Sequence, residues 1–199
     1  MEKHQRNYGG NGKIAKYMQA AYRYPENFSD FVYASQLLQA DGIRYGVEHY
    51  RRNRGRCMGA IYWQLNDCWP VASWASVDYE GRWKALHYYA KRFFAPVMVS
   101  CEEQNWMTAE ANMNREHFVY EKSIRLNVTN ETLEDKKVLV KWALRNADAS
   151  VVKAEEREVT VPALSSVWLD KEEYPDVDVF GQYVSYEAWE GDTCISEGS

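Results

Sequence analysis

The feature that most constrains this chain is a change of hydrophobic period at Pro96. Before it, apolar residues recur at helical spacing: Ile14, Tyr17, Met18 and Ala21, then Phe31, Ala34, Leu37, Leu38, Val47 and Tyr50. After it they alternate. Ile124, Leu126 and Val128 are interleaved with Arg125, Asn127 and Thr129, and Val138, Val140, Trp142 and Leu144 with Leu139, Lys141, Ala143 and Arg145. A 3.6-residue period buries one stripe of a helix, whereas a period of two buries one face of a sheet. One layer arrangement does not serve both, so two domains are expected, residues 1–95 and 96–199.

In the first half, a polar start ends in Gly9-Gly10-Asn11-Gly12 and reads as a loose entry. A short helix from Ile14 is expected to stop at Tyr24-Pro25, because proline restricts the residue before it. Asn27 or Ser29 can cap a second helix that runs to about Asn53. Arg51, Arg52 and Arg54 then meet the carbonyl end of its dipole, and Gly55 supplies the stop. Gly59–Leu65 is too short for a further helix and lacks alternation, as expected of a strand buried on both faces. Arg82–Phe94 returns to helical spacing through Trp83, Leu86, Tyr89, Ala90 and Phe93, and Pro96 ends it. The order helix, strand, loop, helix is an α/β pattern.

In the second half, further strands are expected at Val97–Glu102, Trp106–Ala111, Val151–Val161, Ser166–Asp170 and Gln182–Glu190. About seven short strands in roughly a hundred residues suggest an immunoglobulin-like sandwich, with Trp142 as its central core aromatic.

The charge balance narrows the partners. A net charge of −5 and a pI near 5.5 argue against nucleic acid, and the single arginine cluster belongs to a helix end. No stretch approaches the ~20 apolar residues needed to span a bilayer, and the first residues lack the apolar run of a secretory signal. A soluble segment without an export address is expected, which leans towards the cytoplasm. Cys57, Cys68, Cys101 and Cys194 have neither zinc-site spacing nor disulfide-scaffold density, so reduced thiols are expected. His49 and His117 have no acidic or thiol partners at ligand spacing, so neither a metal nor a cofactor is called for. Asn27, Asn127 and Asn130 match glycosylation triplets, which arise often by chance.

The chemistry concentrates where Gly59–Leu65 would deliver Asn66 and Asp67 next to Trp63, Trp69 and Trp74. An amide and a carboxylate beside indole faces suit a sugar, which offers hydroxyls at its edge and C–H bonds on its face. The plainer reading is a buried strand and an ordinary loop. Asp67 can likewise cap that loop by accepting backbone N–H groups, and Trp69 and Trp74 can serve only to pack it down. His87 reads as a packed helix residue rather than a catalyst. On the sandwich, Trp168, Tyr186 and Trp189 fit a core, or alternatively an aromatic platform that would make this half a carbohydrate-binding module.

Met58-Gly-Ala-Ile-Tyr-Trp-Gln-Leu-Asn-Asp-Cys-Trp-Pro-Val-Ala-Ser-Trp74 and Asp78-Tyr-Glu-Gly-Arg-Trp-Lys-Ala-Leu-His-Tyr-Tyr-Ala-Lys-Arg-Phe-Phe-Ala-Pro96 resemble the end of the catalytic barrel in β-mannosidases of glycoside hydrolase family 2. The likeness is dense over about residues 57 to 97. It implies the final helix-strand-helix portion of a (β/α)8 barrel followed by an immunoglobulin-like β-sandwich, with Gly59–Leu65 as the eighth strand. Barrel chemistry sits at the C-terminal ends of strands, where Trp63, Asn66, Asp67 and Trp69 would then contribute to a β-mannoside pocket. A full barrel takes ~250 residues, so the chain is expected to be a C-terminal piece. The family's two catalytic glutamates lie on earlier strands; Glu2, Glu26 and Glu48 do not end a buried strand, so no catalytic residue is assigned. The 199 residues alone are expected to be inactive and to self-associate through residues 13–75, where a barrel strand lacks its neighbours.

Overall fold

The computed structural model describes residues 2–105, 108 and 120–199. The chain divides into two compact units: residues 1–50 with 59–94, and residues 51–58 with 95–199. The expected strand at Trp106–Ala111 and His117 lie outside the described residues, apart from Thr108.

The first unit is built on three helices: α1 (Gly10–Ala21), α2 (Phe28–Arg52, whose last two residues belong to the second unit) and α3 (Ala85–Phe93). Helix α1 begins inside the glycine-rich stretch expected to be loose. The cause is a polar clasp: Gln5 donates to the Asn11 side chain at 3.3 Å, and Asn11 donates to Glu2 at 2.6 Å. Asn27 caps α2 as its side chain suggests, accepting the Asp30 N–H at 3.0 Å and donating to the Asp30 carboxylate at 2.7 Å. The Tyr22 hydroxyl donates to Asp41 at 2.6 Å, and burial first, then that hydrogen bond, raises its pKa.

Gly59–Leu65 is not the expected buried strand. Among the described residues it is not part of a named strand, and the adjoining Asn66 makes an isolated parallel bridge with Val77. Ile61, Trp63 and Leu65 are 100%, 70% and 58% exposed. A strand exists through the ladder it shares with its neighbours, and among the described residues none flanks this one.

The second unit is a two-sheet antiparallel sandwich of seven described strands: β1 (Val97–Gln104), β2 (Ser123–Asn130), β3 (Lys136–Asn146), β4 (Val151–Val161), β5 (Ser165–Glu173), β6 (Gln182–Glu190) and β7 (Thr193–Gly198). One sheet runs β1-β2-β5 and the other β4-β3-β6-β7. Six strands fall where they are expected, β2 and β3 from alternation and β1, β4, β5 and β6 from strand-favouring composition. Strand β7 has little alternation to betray it; it is held by pairing with β6 and by the Val99 N–H donating to Ser196 Oγ at 3.0 Å. The inner faces close a core of Val99, Leu126, Val128, Val138, Val140, Val161, Leu169 and Tyr186 around Trp142.

Two polar devices finish this unit. Asn130, fully buried, donates to the carbonyls of Glu134, Val161 and Pro162 and accepts from the Thr132 N–H and hydroxyl, which fixes the β2–β3 turn. On the edge strands, Arg157 pairs with Asp170 at 2.6 Å and Lys153 with Glu172 at 3.4 Å, placing charge where an exposed edge would otherwise recruit another strand. The arginine cluster is structural, as expected, but its task is wider than neutralising a helix dipole. Arg54 donates to the Leu164 carbonyl at 2.5 Å and pairs with Glu131, and Arg52 donates to the Cys101 carbonyl at 3.2 Å.

Candidate functional site

The segment after Leu65 is organised by Asp67. The residue is buried, and its carboxylate accepts from Ser73 Oγ on one oxygen and from Lys84 Nζ at 3.1 Å on the other. A buried charge needs a hydrogen-bonded counterion, and Lys84 supplies it. Ser73 Oγ in turn accepts the Ala75 N–H at 3.1 Å, so Asp67 ties two parts of the loop together through side chains rather than by capping backbone N–H groups. Asn66 is exposed, and its Nδ2 donates to the Asp67 carbonyl at 3.2 Å. Trp69 is half-buried, stacked with His4 at 6.0 Å and covered by Arg6 at 5.2 Å. Trp63 stands exposed, and the peptide bond that follows it is cis.

A cavity of about 490 Å³ lies between α2 and this loop, within the first unit. Gln36 and Gln39 line it from the helix, and Asp67, Trp74, Asp78, Arg82 and Lys84 from the loop. Gln39 donates to the Trp74 carbonyl at 2.8 Å, and Gln36 accepts the Ala85 N–H at 3.1 Å, capping α3. Of the four residues singled out in the sequence, Asp67 lines this cavity, whereas Trp63, Asn66 and Trp69 do not. Gln36, Gln39 and Lys84 were not singled out; the glutamines' spacing of three on one helix face is the signal that could have found them. Amides, an ion pair and an indole around one hollow suit a ligand rich in hydroxyls. Among the described residues no cluster of histidine, cysteine and carboxylate side chains is suited to a metal.

The loop's far turn is stapled by Asp78, which accepts the Glu80 and Arg82 N–H groups at 2.9 Å each and the Arg82 guanidinium at 2.7 Å. The Arg82 backbone N–H above all, then its side chain, holds this carboxyl below the usual aspartate range.

On the sandwich, Tyr186 belongs to the core. Trp168 lies under Arg125 at 4.8 Å, and Trp189 lies under Lys141 at 5.1 Å while its N–H donates to Glu187 at 2.8 Å. These rings already have cationic partners. Asn127 and Asn130 are fully buried, which removes two of the three glycosylation triplets from reach. Among the described residues no helix is long and apolar enough to cross a membrane.

Residues 122–199 match the family model of the Mannosidase Ig/CBM-like domain. A β-mannosidase of Rattus norvegicus is 41% identical over 109 residues, and β-mannosidase A of Neosartorya fischeri is 40% identical over 100. Over these stretches the chain is similar to β-mannosidases. The rat alignment takes in 48% of this chain and 12% of that relative, so the chain spans only about an eighth of the length of these β-mannosidases. A β-D-mannosidase of Dictyoglomus thermophilum superposes on 100% of the chain and 23% of its own length, with a TM-score of 0.84 and 27% identity. An exo-β-D-glucosaminidase, CsxA, reaches a TM-score of 0.75 over 98% of the chain and 22% of its own at 19% identity, which shows the fold alone.

Proposed function

We propose that the chain is the C-terminal portion of a retaining β-mannosidase-like glycoside hydrolase. On this reading residues 1–95 end a (β/α)8 barrel, residues 96–199 form the immunoglobulin-like sandwich that follows it in the chain, and a β-mannoside is the substrate. One observation carries the barrel assignment. Ile61, Trp63 and Leu65 alternate and are exposed, while Tyr62 between them packs against Phe93 and Phe94 at the end of α3, each at 6.3 Å. A barrel strand has this two-faced character, one side towards its helix and the other towards the barrel interior. The segment carries the side-chain pattern of an eighth strand without the ladder, and flanking strands would supply the ladder.

Trp63 then forms a hydrophobic wall under the sugar, and Asn66 contributes a hydroxyl partner. Asp67, committed to Ser73 and Lys84, orients the loop and presents Lys84 to the cavity. Trp69 fastens the loop. Retaining glycosidases use two carboxyl groups about 5–5.5 Å apart, and the proposal places both on preceding strands of a longer protein. The 199 residues therefore supply part of the pocket but no nucleophile or acid.

The test is turnover of an aryl β-mannoside. The longer protein should hydrolyse it and the 199 residues should not; activity in the shorter chain would overturn the assignment of the catalytic pair. Calorimetric titration of mannooligosaccharides into residues 96–199 separates this reading from a carbohydrate-binding module, because only the module predicts saturable binding.

A further inference from the structure

The network around Ser76 lies outside the residues assigned to the pocket, yet it fixes where they stand. Ser76 is fully buried. Its N–H donates to the Gln64 carbonyl at 3.0 Å, and its own carbonyl accepts the Lys84 N–H at 2.9 Å. Its hydroxyl lies 3.0 Å from the Leu65 carbonyl, 2.9 Å from the Tyr62 hydroxyl and 3.1 Å from His87 Nδ1.

Proton counting orders these contacts. The Leu65 carbonyl can only accept, so the one hydroxyl proton of Ser76 goes there. The two lone pairs of Ser76 Oγ then receive the Tyr62 O–H and a proton on His87 Nδ1. Neutral His87 is consequently the Nδ1–H tautomer, with Nε2 unprotonated. The same carbonyl of Leu65 also accepts the Val77 N–H at 2.8 Å. Gln64 and Leu65, the residues between Trp63 and Asn66, are thus held by one serine whose hydroxyl direction is set by a histidine from α3. Trp83 packs on that histidine with ring centroids 4.4 Å apart.

We propose that Ser76 and His87 are a positioning pair for the pocket wall: His87 aims the Ser76 hydroxyl, and Ser76 sets the backbone that presents Trp63 and Asn66. Neither residue touches substrate. The inference rests on the reading of Trp63–Asp67 as pocket wall, and it assigns a role to a histidine whose spacing suggested only packing.

Three variants of the longer protein test it: Ser76→Ala, His87→Leu and His87→Asn. An asparagine amide places an N–H where Nδ1–H stands, so it should preserve the network that leucine removes. The expected result is a fall of about tenfold in kcat/KM for His87→Leu and Ser76→Ala, with His87→Asn close to wild type and all melting temperatures little changed. Unchanged kcat/KM in His87→Leu, or losses that track melting temperature and are not rescued by asparagine, would overturn the proposal. Absence of turnover in the wild type would instead defeat the functional reading. The positioning pair is then decided by two measurements that need no activity. Nitrogen NMR should show the Nδ1–H tautomer at His87, and acrylamide quenching of Trp63, isolated by difference from Trp63→Phe, should change in Ser76→Ala. An Nε2–H tautomer or unaltered quenching refutes it.

Discussion

In residues 96–199 each described strand has a hydrogen-bonded neighbour, the inner faces meet in one core, and charged pairs guard the edge strands. Residues 59–65 form no named strand among the described residues, and the large apolar side chains of Ile61, Trp63 and Leu65 are exposed. The difference is one of pairing, not of hydrophobicity, since both stretches are rich in apolar and aromatic residues. A sandwich finds its partners within its own hundred residues. If residues 59–65 are a barrel strand, as proposed above, they require strands on either side, and their apolar face stays uncovered without them.

The most severe way to break this comparison is to separate the halves. Residues 96–199 should unfold in a cooperative thermal transition with sharp near-ultraviolet circular dichroism, whereas residues 1–95 should aggregate or lack fixed tertiary signals. A cooperative, monomeric 1–95 would remove the contrast. Within the sandwich, Trp142→Ala should cost about 3–5 kcal/mol in denaturant unfolding, because it empties the centre of the core. Asn130→Ala should cost roughly 2–3 kcal/mol, since it strips partners from the Glu134 carbonyl in the β2–β3 turn and from the Val161 and Pro162 carbonyls at the β4–β5 turn; a loss below about 0.5 kcal/mol would show that these turns hold themselves.

Ile61→Lys probes the other half. Sedimentation of the 199 residues should show concentration-dependent self-association that this substitution weakens, with the melting temperature nearly unmoved. A wild-type monomer in dilute solution would refute the uncovered-strand argument. The smallest effect concerns acid. The pKa of Asp78 is depressed in the folded chain, so its contribution is full above the ordinary aspartate value near ~4 and is lost as pH falls through the lower folded value. Asp78→Asn should therefore lower stability slightly at neutral pH and leave it almost unchanged at low pH, which flattens the acid limb of the stability profile.

How much could be read beforehand differs by residue. Asn27 announced its cap, because the partners of a cap lie within a turn of it. Trp142 announced its burial through alternation with its immediate neighbours. Asp67 was found as a candidate, but its partner Lys84 was not, because 17 residues separate them and no periodicity joins a loop residue to the start of a helix. His87 was read as packing for the same reason: the serine it aims lies 11 residues back, across an irregular segment. A buried strand at Gly59–Leu65 is what its composition suggests, but burial and the ladder that makes a strand depend on neighbours that the composition does not record.

The sequence by itself determined the switch of period at Pro96, three helices, six of the seven described strands and the aromatic centre of the sandwich, since these follow from the spacing and composition of residues along one element. The tertiary structure alone decided the pairing order β1-β2-β5 and β4-β3-β6-β7, the convergence of Asp67 with Lys84 and of Ser76 with His87, and the exposure of Ile61, Trp63 and Leu65. Each of these depends on segments that meet only after the chain has folded, and local spacing carries no record of such meetings.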